Sequence, residues 1–179
     1  MRVSFYTLGC KVNQYDTQSI QAAFEAAGWE IVPFGERADV TVVNTCTVTA
    51  MSDKKSRQII SRAHASSPEG FTAVTGCYAQ RAAGPVLALP GVKLVLGNRN
   101  RGQIVELAER IRQTGESIDG VQDIMQAREF EELSAVCEER TRATLKIQDG
   151  CNRFCSYCII PYARGPIRSR GIPEIRAEV

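Results

Sequence analysis

The 179 residues are enough for one domain of ordinary size and part of another, and 44% of them are apolar, which is enough for a buried core. The sequence has no run of about 18 apolar residues and begins directly with a strand pattern, so we expect a soluble, cytoplasmic protein with no membrane partner. The formal net charge of +2 excludes no partner by itself. Basic residues are in excess from residue 146 onward, which fits either an anionic partner or an ion-paired face.

Hydrophobic periodicity predicts strands that alternate with helices over the first two thirds of the chain. The predicted strands cover residues 2–8, 29–32, 40–44, 71–75 and 92–96, and the predicted helices cover 13–27, 50–65, 79–89 and 101–113. Alternation with short links predicts an α/β fold, with a parallel sheet of the Rossmann or flavodoxin-like kind and helices on both faces.

The alternation stops at residues 115–142, which are acidic and show little periodicity. This composition is typical of a linker between domains. We therefore divide the chain into a first domain at 1–114, the linker, and the beginning of a second domain at 143–179. In that second domain a strand is predicted over 144–148 and a helix is predicted to begin near Pro173.

Three cysteines, Cys151, Cys155 and Cys158, lie within eight residues near the end of the sequence. Thiolates at this density suit soft metals or iron–sulfur clusters, and three ligands leave a four-iron cluster one protein ligand short. A zinc site is the alternative, but zinc usually takes its four ligands as two close pairs, and the single histidine, His64, lies in a distant helical pattern. A disulfide framework is disfavoured because the sequence has no secretory signal pattern.

The cysteines of the first domain, Cys10, Cys46 and Cys77, each follow a predicted strand. In a parallel sheet these positions share the edge at the carboxyl ends of the strands, where α/β folds bind ligands. The neighbouring helix amino termini favour thiolates or an anionic cluster. The alternative is that these cysteines are ordinary core residues. Cys137, in the linker, matches no ligand motif and is interpreted as an incidental thiol.

These cysteine stretches resemble a known family. The C-x3-C-x2-C motif, followed by Arg164-Gly165, resembles the radical S-adenosylmethionine (SAM) enzymes. The stretches that resemble the three signatures of the methylthiotransferase N-terminal domain are LGCKVNQYD around Cys10, NTCTVT around Cys46 and TGCYAQR around Cys77. The chain is thus identified as the N-terminal part of a member of the methylthiotransferase family.

The resemblance implies two [4Fe–4S] clusters, each with one open iron. Cys151, Cys155 and Cys158 would hold the cluster that binds SAM and cleaves it to a radical. The auxiliary cluster, on the three cysteines of the first domain, would carry the sulfur that is transferred. A second SAM would supply the methyl group. Arg164 and Arg168 would contact the SAM carboxylate or a phosphate, although internal ion pairing is an equal alternative.

The implied reaction replaces an unactivated C–H bond with a methylthio group. The stretch GCKVNQ at residues 9–14 resembles the branch that modifies C2 of threonylcarbamoyladenosine at position 37 of tRNA, beside the anticodon. Isopentenyladenosine in tRNA and an aspartate of a ribosomal protein are the alternative substrates. The expected partners are the tRNA anticodon loop and an electron donor such as flavodoxin or ferredoxin.

The resemblance also implies that most of a partial (β/α) barrel and a C-terminal RNA-binding domain lie beyond this sequence. We therefore expect the 179 residues to be inactive alone. A two-cluster electron-transfer protein is the alternative of a different class. Such carriers normally give every iron a protein ligand and place their cysteines in compact runs, whereas three of these cysteines are dispersed.

Overall fold

Strands and helices alternate through the first domain, as the sequence pattern predicts. The computed structural model describes residues 1–133 and 144–179, so Cys137 lies outside the described residues. Strands β1 to β8 cover Arg2–Thr7, Glu30–Val32, Val40–Thr45, Phe71–Gly76, Val92–Val95, Ile118–Asp119, Gln148–Asp149 and Arg168–Ser169. Helices α1 to α7 cover Lys11–Ala26, Ala50–Ser66, Cys77–Arg81, Ala83–Leu87, Ile104–Thr114, Ile160–Arg164 and Ile172–Glu178. Single 3₁₀ turns lie at Arg101–Gln103 and Ile124–Gln126.

The first six strands form one parallel sheet in the order β2-β1-β3-β4-β5-β6. Every residue of β3 and β4 is buried, because helices cover both faces, and this explains why both strands are rich in β-branched side chains. The order β2-β1-β3-β4-β5 is that of flavodoxin-like folds, in which the connection reverses direction between β1 and β3. The predicted fold class is confirmed.

Two hydrophobic cores lie on opposite faces of this sheet. On one face, Phe24 packs edge-on against Trp29 at 5.1 Å between ring centroids, and Ile111 of α5 completes the layer. On the other face, Ile60 of α2 and Val86 of α4 are fully buried. Since both faces are covered, the ends of the strands are the places left for a ligand. None of the helices in the described ranges is both long enough and apolar enough to span a membrane.

The predicted helix at 79–89 is wrong in one respect, because two short helices replace it. The chain breaks at Ala82, which has φ −136 and ψ 43. Proline has no N–H, and its ring collides with the carbonyl four residues earlier, so Pro85 is incompatible with a helix that continues from Arg81. Beginning a new helix at Ala83 places Pro85 in a first turn, where no backbone donor is needed.

The predicted linker at 115–142 contains a strand that the sequence pattern did not indicate. Ile118–Asp119 form β6 and extend the sheet beside β5, with Leu94 opposite Ile118. Only one of the two residues is apolar, so no alternation marks the strand. Of the residues predicted as a strand at 144–148, only Gln148 is in one.

Residues 144–179 contain a two-stranded antiparallel ribbon, and no barrel is formed among them. Gln148 of β7 pairs with Ser169 of β8. Gly165, at φ +75, ends α6 and turns the chain back, and its carbonyl accepts a hydrogen bond of 3.1 Å from the Cys151 amide. The second cysteine loop is therefore closed at both ends by the ribbon and α6.

A candidate thiolate site at the carboxyl edge of the sheet

Cys10, Cys46 and Cys77 all lie at the carboxyl edge of the sheet. Cys10 occupies the N-cap position of α1 in an extended conformation. Cys46 directly follows β3, and Cys77 follows β4 as the first residue of α3. Because β1, β3 and β4 are adjacent and parallel, the three cysteines share one edge. Cys10 and Cys46 flank the switch point between β1 and β3, which is where such sheets bind ligands.

Gly9 brings the loop that carries Cys10 into contact with Cys46. Its φ of +102 favours glycine, and a Cβ placed there would lie 3.0 Å from Cys46 Cβ and 3.1 Å from Cys46 Sγ. A negative charge on Cys46 raises the pKa of Cys77, so these two residues are also neighbours. The fold thus brings together three residues that are far apart in the sequence.

Cys77 has the most specific environment of the three. It is buried, and Asn98 Nδ2 lies 3.7 Å from its sulfur. Burial raises the pKa of the Cys77 thiol, while the Arg164 guanidinium and the Asn98 amide oppose that rise. The surroundings therefore include two groups that stabilise a thiolate at this position.

Two asparagines brace the loops around these cysteines. Asn13 Nδ2 donates to the carbonyl oxygens of Leu8 at 2.7 Å and Thr45 at 3.0 Å, which joins the β1 and β3 loops. Asn44 Nδ2 donates to the Asn13 carbonyl at 2.9 Å and to Thr17 Oγ1 at 3.1 Å. Both side chains therefore act as braces of the turns beside the cysteines.

The second cysteine set lies on the loop between β7 and α6. Cys155 is exposed, whereas Cys151 and Cys158 are half-buried. The Cys158 amide donates to the Cys155 carbonyl at 2.9 Å, and Phe154, directly before Cys155, adopts φ +48. All six cysteines of the described ranges carry free thiols.

Within residues 1–133 and 144–179, no group of three or more His, Cys, Asp or Glu side chains is arranged to hold one metal ion. In a four-iron cluster, each of the three cysteines binds a different iron. The cysteine sulfurs are therefore farther apart than the ligands of a single metal ion. The soft donors and the convergence of the first three cysteines fit such a cluster, and its presence remains a prediction.

A buried network of ion pairs fixes the second cysteine segment to the sheet edge. Its most deeply buried carboxylates belong to Asp16 of α1 and to Asp149, two residues before Cys151, and Glu131 lies 2.9 Å from Arg101 at its margin. Lys146 Nζ lies 2.8 Å from Asp16 Oδ1 and 2.6 Å from Asp149 Oδ2. Arg164 lies 3.2 Å from Asp16 and donates to both oxygens of Asp149, at 3.0 and 3.1 Å. Arg101, only 2% exposed, pairs with Asp16.

Arg164 and Arg168 are ion-paired inside the protein. Burial opposes the charge of Arg164, but Asp16 and Asp149 raise its pKa well above the usual value. Arg168 is also buried, 3.8 Å from Asp149 Oδ2, and donates to the Arg164 carbonyl at 2.9 Å. Internal ion pairing, one of the two alternatives left open by the sequence, is therefore observed. Contact of Arg164 and Arg168 with SAM remains a prediction.

Sequence analysis missed Asp16, Arg101, Lys146 and Asp149 as members of a shared network, and it missed Asn98. Asp16 and Lys146 are 130 residues apart, and local periodicity gives no information on such a pair. Two signals were present: the excess of basic residues after 146, and Asn98 in the loop after a predicted strand, the same placement as the three cysteines.

An exposed basic face lies beside Cys46. Helix α2 begins four residues after Cys46 and carries Lys54, Lys55, Arg57 and Arg62 at exposed positions. Arg57 donates to the Tyr78 hydroxyl at 3.1 Å, and Tyr78 directly follows Cys77. A cationic surface therefore borders the thiolate site on one side.

The fold and the site define a doubly wound α/β protein with three cysteines along the carboxyl edge of its sheet and a three-cysteine loop held at the same edge by buried ion pairs. The chain belongs to the uncharacterized protein family UPF0004, whose profile matches residues 2–97.

Curated relatives cover nearly the whole chain. It is 50% identical over 174 residues to the threonylcarbamoyladenosine tRNA methylthiotransferase MtaB of Bacillus subtilis, covering 97% of the chain and 39% of that protein. It is 40% identical over 180 residues to MtaB of Aquifex aeolicus, covering 100% of the chain and 44% of that protein. The tRNA-2-methylthio-N(6)-dimethylallyladenosine synthase of Pseudothermotoga lettingae is 32% identical over 189 residues, with 100% and 41% covered. The chain spans about two fifths of the length of these relatives, and its resemblance to methylthiotransferases is confirmed.

Proposed function

We propose that the chain is the N-terminal part of a radical SAM methylthiotransferase that adds a methylthio group to C2 of threonylcarbamoyladenosine at position 37 of tRNA. The observation that carries the proposal is the meeting of two cysteine sets at one sheet edge. Arg164 links the two sets. It donates to Asn13 Oδ1 at 2.6 Å, three residues after Cys10, and to Asp149, two residues before Cys151. The names of the relatives supply the reaction and the substrate class.

Each cysteine set has a role in this proposal. Cys10, Cys46 and Cys77 would hold the auxiliary [4Fe–4S] cluster, and Cys151, Cys155 and Cys158 would hold the cluster that binds SAM. When bound, the two clusters supply a reducing electron for SAM cleavage and a site for the transferred sulfur. The chain's own residues orient the thiolates, and the buried ion pairs keep the two loops at a fixed separation.

The nucleic acid would approach over the basic face of α2. Lys54 and Lys55 are exposed on the helix that starts beside Cys46, so tRNA phosphates bound there would bring a nucleotide of the loop toward the thiolate site. A flavodoxin or ferredoxin would supply electrons, and the cytoplasm would be the place of action. No helix in the described part of the chain is long and apolar enough to cross a membrane.

Anaerobic reconstitution of the full-length protein tests the proposal. We expect about eight irons per chain, from two four-iron clusters. The Cys46→Ala variant should still cleave SAM but should not thiomethylate tRNA. Cys137→Ala is the matched control and should retain both activities. Thiomethylation by the Cys46→Ala variant would contradict the assigned roles. A wild-type EPR signal that does not respond to SAM would favour an electron-transfer protein.

Substrate choice is tested separately with two tRNAs. The relatives include enzymes named for threonylcarbamoyladenosine and for dimethylallyladenosine. We expect turnover on tRNA that carries threonylcarbamoyladenosine and none on tRNA that carries isopentenyladenosine. The reverse result would assign the protein to the other branch. Turnover of neither tRNA would direct the search to the ribosomal-protein aspartate.

A further inference from the structure

Asn98 contacts Cys77 of the first cysteine set and also the helix that follows the second set. It follows β5 at the carboxyl edge of the sheet, next to the β4 loop that carries Cys77, and is 1% exposed. Its Nδ2 lies 3.7 Å from Cys77 Sγ and donates to the Ala163 carbonyl at 2.8 Å. An amide nitrogen has two hydrogens, so one side chain serves both acceptors.

The backbone around Asn98 holds the side chain in this position. The backbone N–H of Asn98 donates to Gln80 Oε1 at 2.8 Å. Gln80 belongs to α3, the helix that begins at Cys77. Ala163 belongs to α6, which begins two residues after Cys158. The two acceptors of Asn98 Nδ2 therefore sit on elements that adjoin different cysteine sets.

Helix α6 depends on such contacts because it has only five residues. A helix this short is not stable by itself in water. Asn98 holds the Ala163 carbonyl, and the next residue, Arg164, is held by Asn13 at 2.6 Å and by Asp149. The closing helix of the second cysteine loop is thus oriented by residues of the first domain.

We propose that Asn98 is a positioning residue that donates one N–H to the Cys77 sulfur and the other to Ala163, and so sets both the electron affinity of the auxiliary cluster and the placement of α6. This inference rests on the proposed function, in which Cys77 binds that cluster. Reduction adds negative charge to the cluster and its sulfurs, so an N–H directed at a ligand sulfur stabilises the reduced form. Removing the donor should lower the reduction potential.

The reduction potential is measured in the full-length protein with Cys151, Cys155 and Cys158 changed to alanine, so that only the auxiliary site is loaded. We expect Asn98→Ala to shift the one-electron equilibrium about tenfold toward the oxidised form, about 59 mV. Asn98→Asp has the same shape but directs only acceptors at the sulfur, so its potential should fall further. Asn100→Ala is the matched control. Asn100 lies on the same loop and donates to the Gly120 carbonyl at 2.9 Å, so its loss should leave the potential unchanged.

Hydrogen exchange of α6 in the metal-free protein is the second measurement. The amides of Tyr162, Ala163 and Arg164 should exchange faster in Asn98→Ala than in Asn100→Ala. If Asn98 acted through its shape and packing alone, Asn98→Asp, which has the same shape, should change the reduction potential and the exchange rate less than Asn98→Ala does. A smaller effect in Asn98→Asp than in Asn98→Ala would overturn the proposal. An unchanged reduction potential in an Asn98→Ala protein that is fully loaded with iron would overturn it as well. If Asn98→Ala does not fold, the comparison of Asn98→Asp with the wild type decides. Failure of the wild type to load iron at this site would instead contradict the proposed function.

Discussion

Replacing Asp16 with asparagine removes one negative charge from a buried site that holds several cations. Asp16 is 3% exposed and is paired with Arg101, with Lys146 at 2.8 Å and with Arg164 at 3.2 Å. The side-chain amide introduced by this substitution is neutral. Arg101 would keep Glu131 at 2.9 Å, but Lys146 and Arg164 would have to share the single charge of Asp149, at 2.6 and 3.0 Å. We expect Asp16→Asn to destabilise the contact between α1 and the second cysteine segment.

The size of the effect follows from burial. Breaking a buried ion pair by removing one partner costs about 3–5 kcal/mol, because the remaining charge is left without compensation. The pair of Arg110 with Glu116 provides the comparison, since its side chains are 61% and 65% exposed and 3.9 Å apart. Exposed pairs contribute at most about 1 kcal/mol. Asp16→Asn should therefore cost several times more than Glu116→Gln.

Urea denaturation of the metal-free chain measures both variants. With a slope of about 1–3 kcal/mol per M, the midpoint of Asp16→Asn should fall by about 1 M or more, and that of Glu116→Gln by much less. The double variant Asp16→Asn with Lys146→Met should recover part of the loss, because it removes one of the two cations left to share Asp149. Equal midpoints for Asp16→Asn and Glu116→Gln, or no recovery in the double variant, would refute the reasoning.

Two further predictions concern pH and a close backbone contact. Burial favours the neutral form of Asp16, but Arg101, Lys146 and Arg164 hold its pKa below the usual value, so its contribution to stability is present above that value and is lost as pH falls through the lowered pKa. The difference in unfolding free energy between wild type and Asp16→Asn should therefore shrink below about pH 4, as measured by urea midpoints at pH 7 and pH 3, and a constant difference would contradict this. Gly9→Ala should cost about 1–3 kcal/mol from its positive φ and also displace Cys46 and lower iron retention, whereas Gly28→Ala, at φ +79 with nothing within 4 Å, should show the backbone cost alone.

The sheet was predictable because its signals are local. Strands such as Val40–Thr45 are short, rich in β-branched residues and bounded by turns, and each helix between them has an apolar stripe. Once the strands are parallel, the position of a residue directly after a strand fixes the edge on which it lies. The common edge of Cys10, Cys46 and Cys77 follows from that rule alone.

The ion-pair network was not predictable in the same way. Arg101 lies at the start of a helical pattern and Asp16 lies within another, and their charges fit a solvated helix face equally well. Only the folded chain shows that both are buried and paired. The two-residue strand β6 is a similar case. It has only one apolar side chain, so its own sequence gives no strand pattern, and only its pairing with β5 in the folded chain identifies it.

The placement of the second cysteine loop depends on the first domain more than on its own sequence. The loop is bounded by the two-residue strand β7 and the five-residue helix α6, and neither is long enough to be stable alone. Asp149 and Arg164, at the two boundaries, are both held by the buried network that includes Asp16 of α1. Under the proposed function, a carbon radical formed at one site must meet sulfur at the other, so the two sites need a fixed separation. In the described residues, the buried ion pairs of Asp16 and Asp149 link these two short elements to the sheet edge, and this link holds the separation.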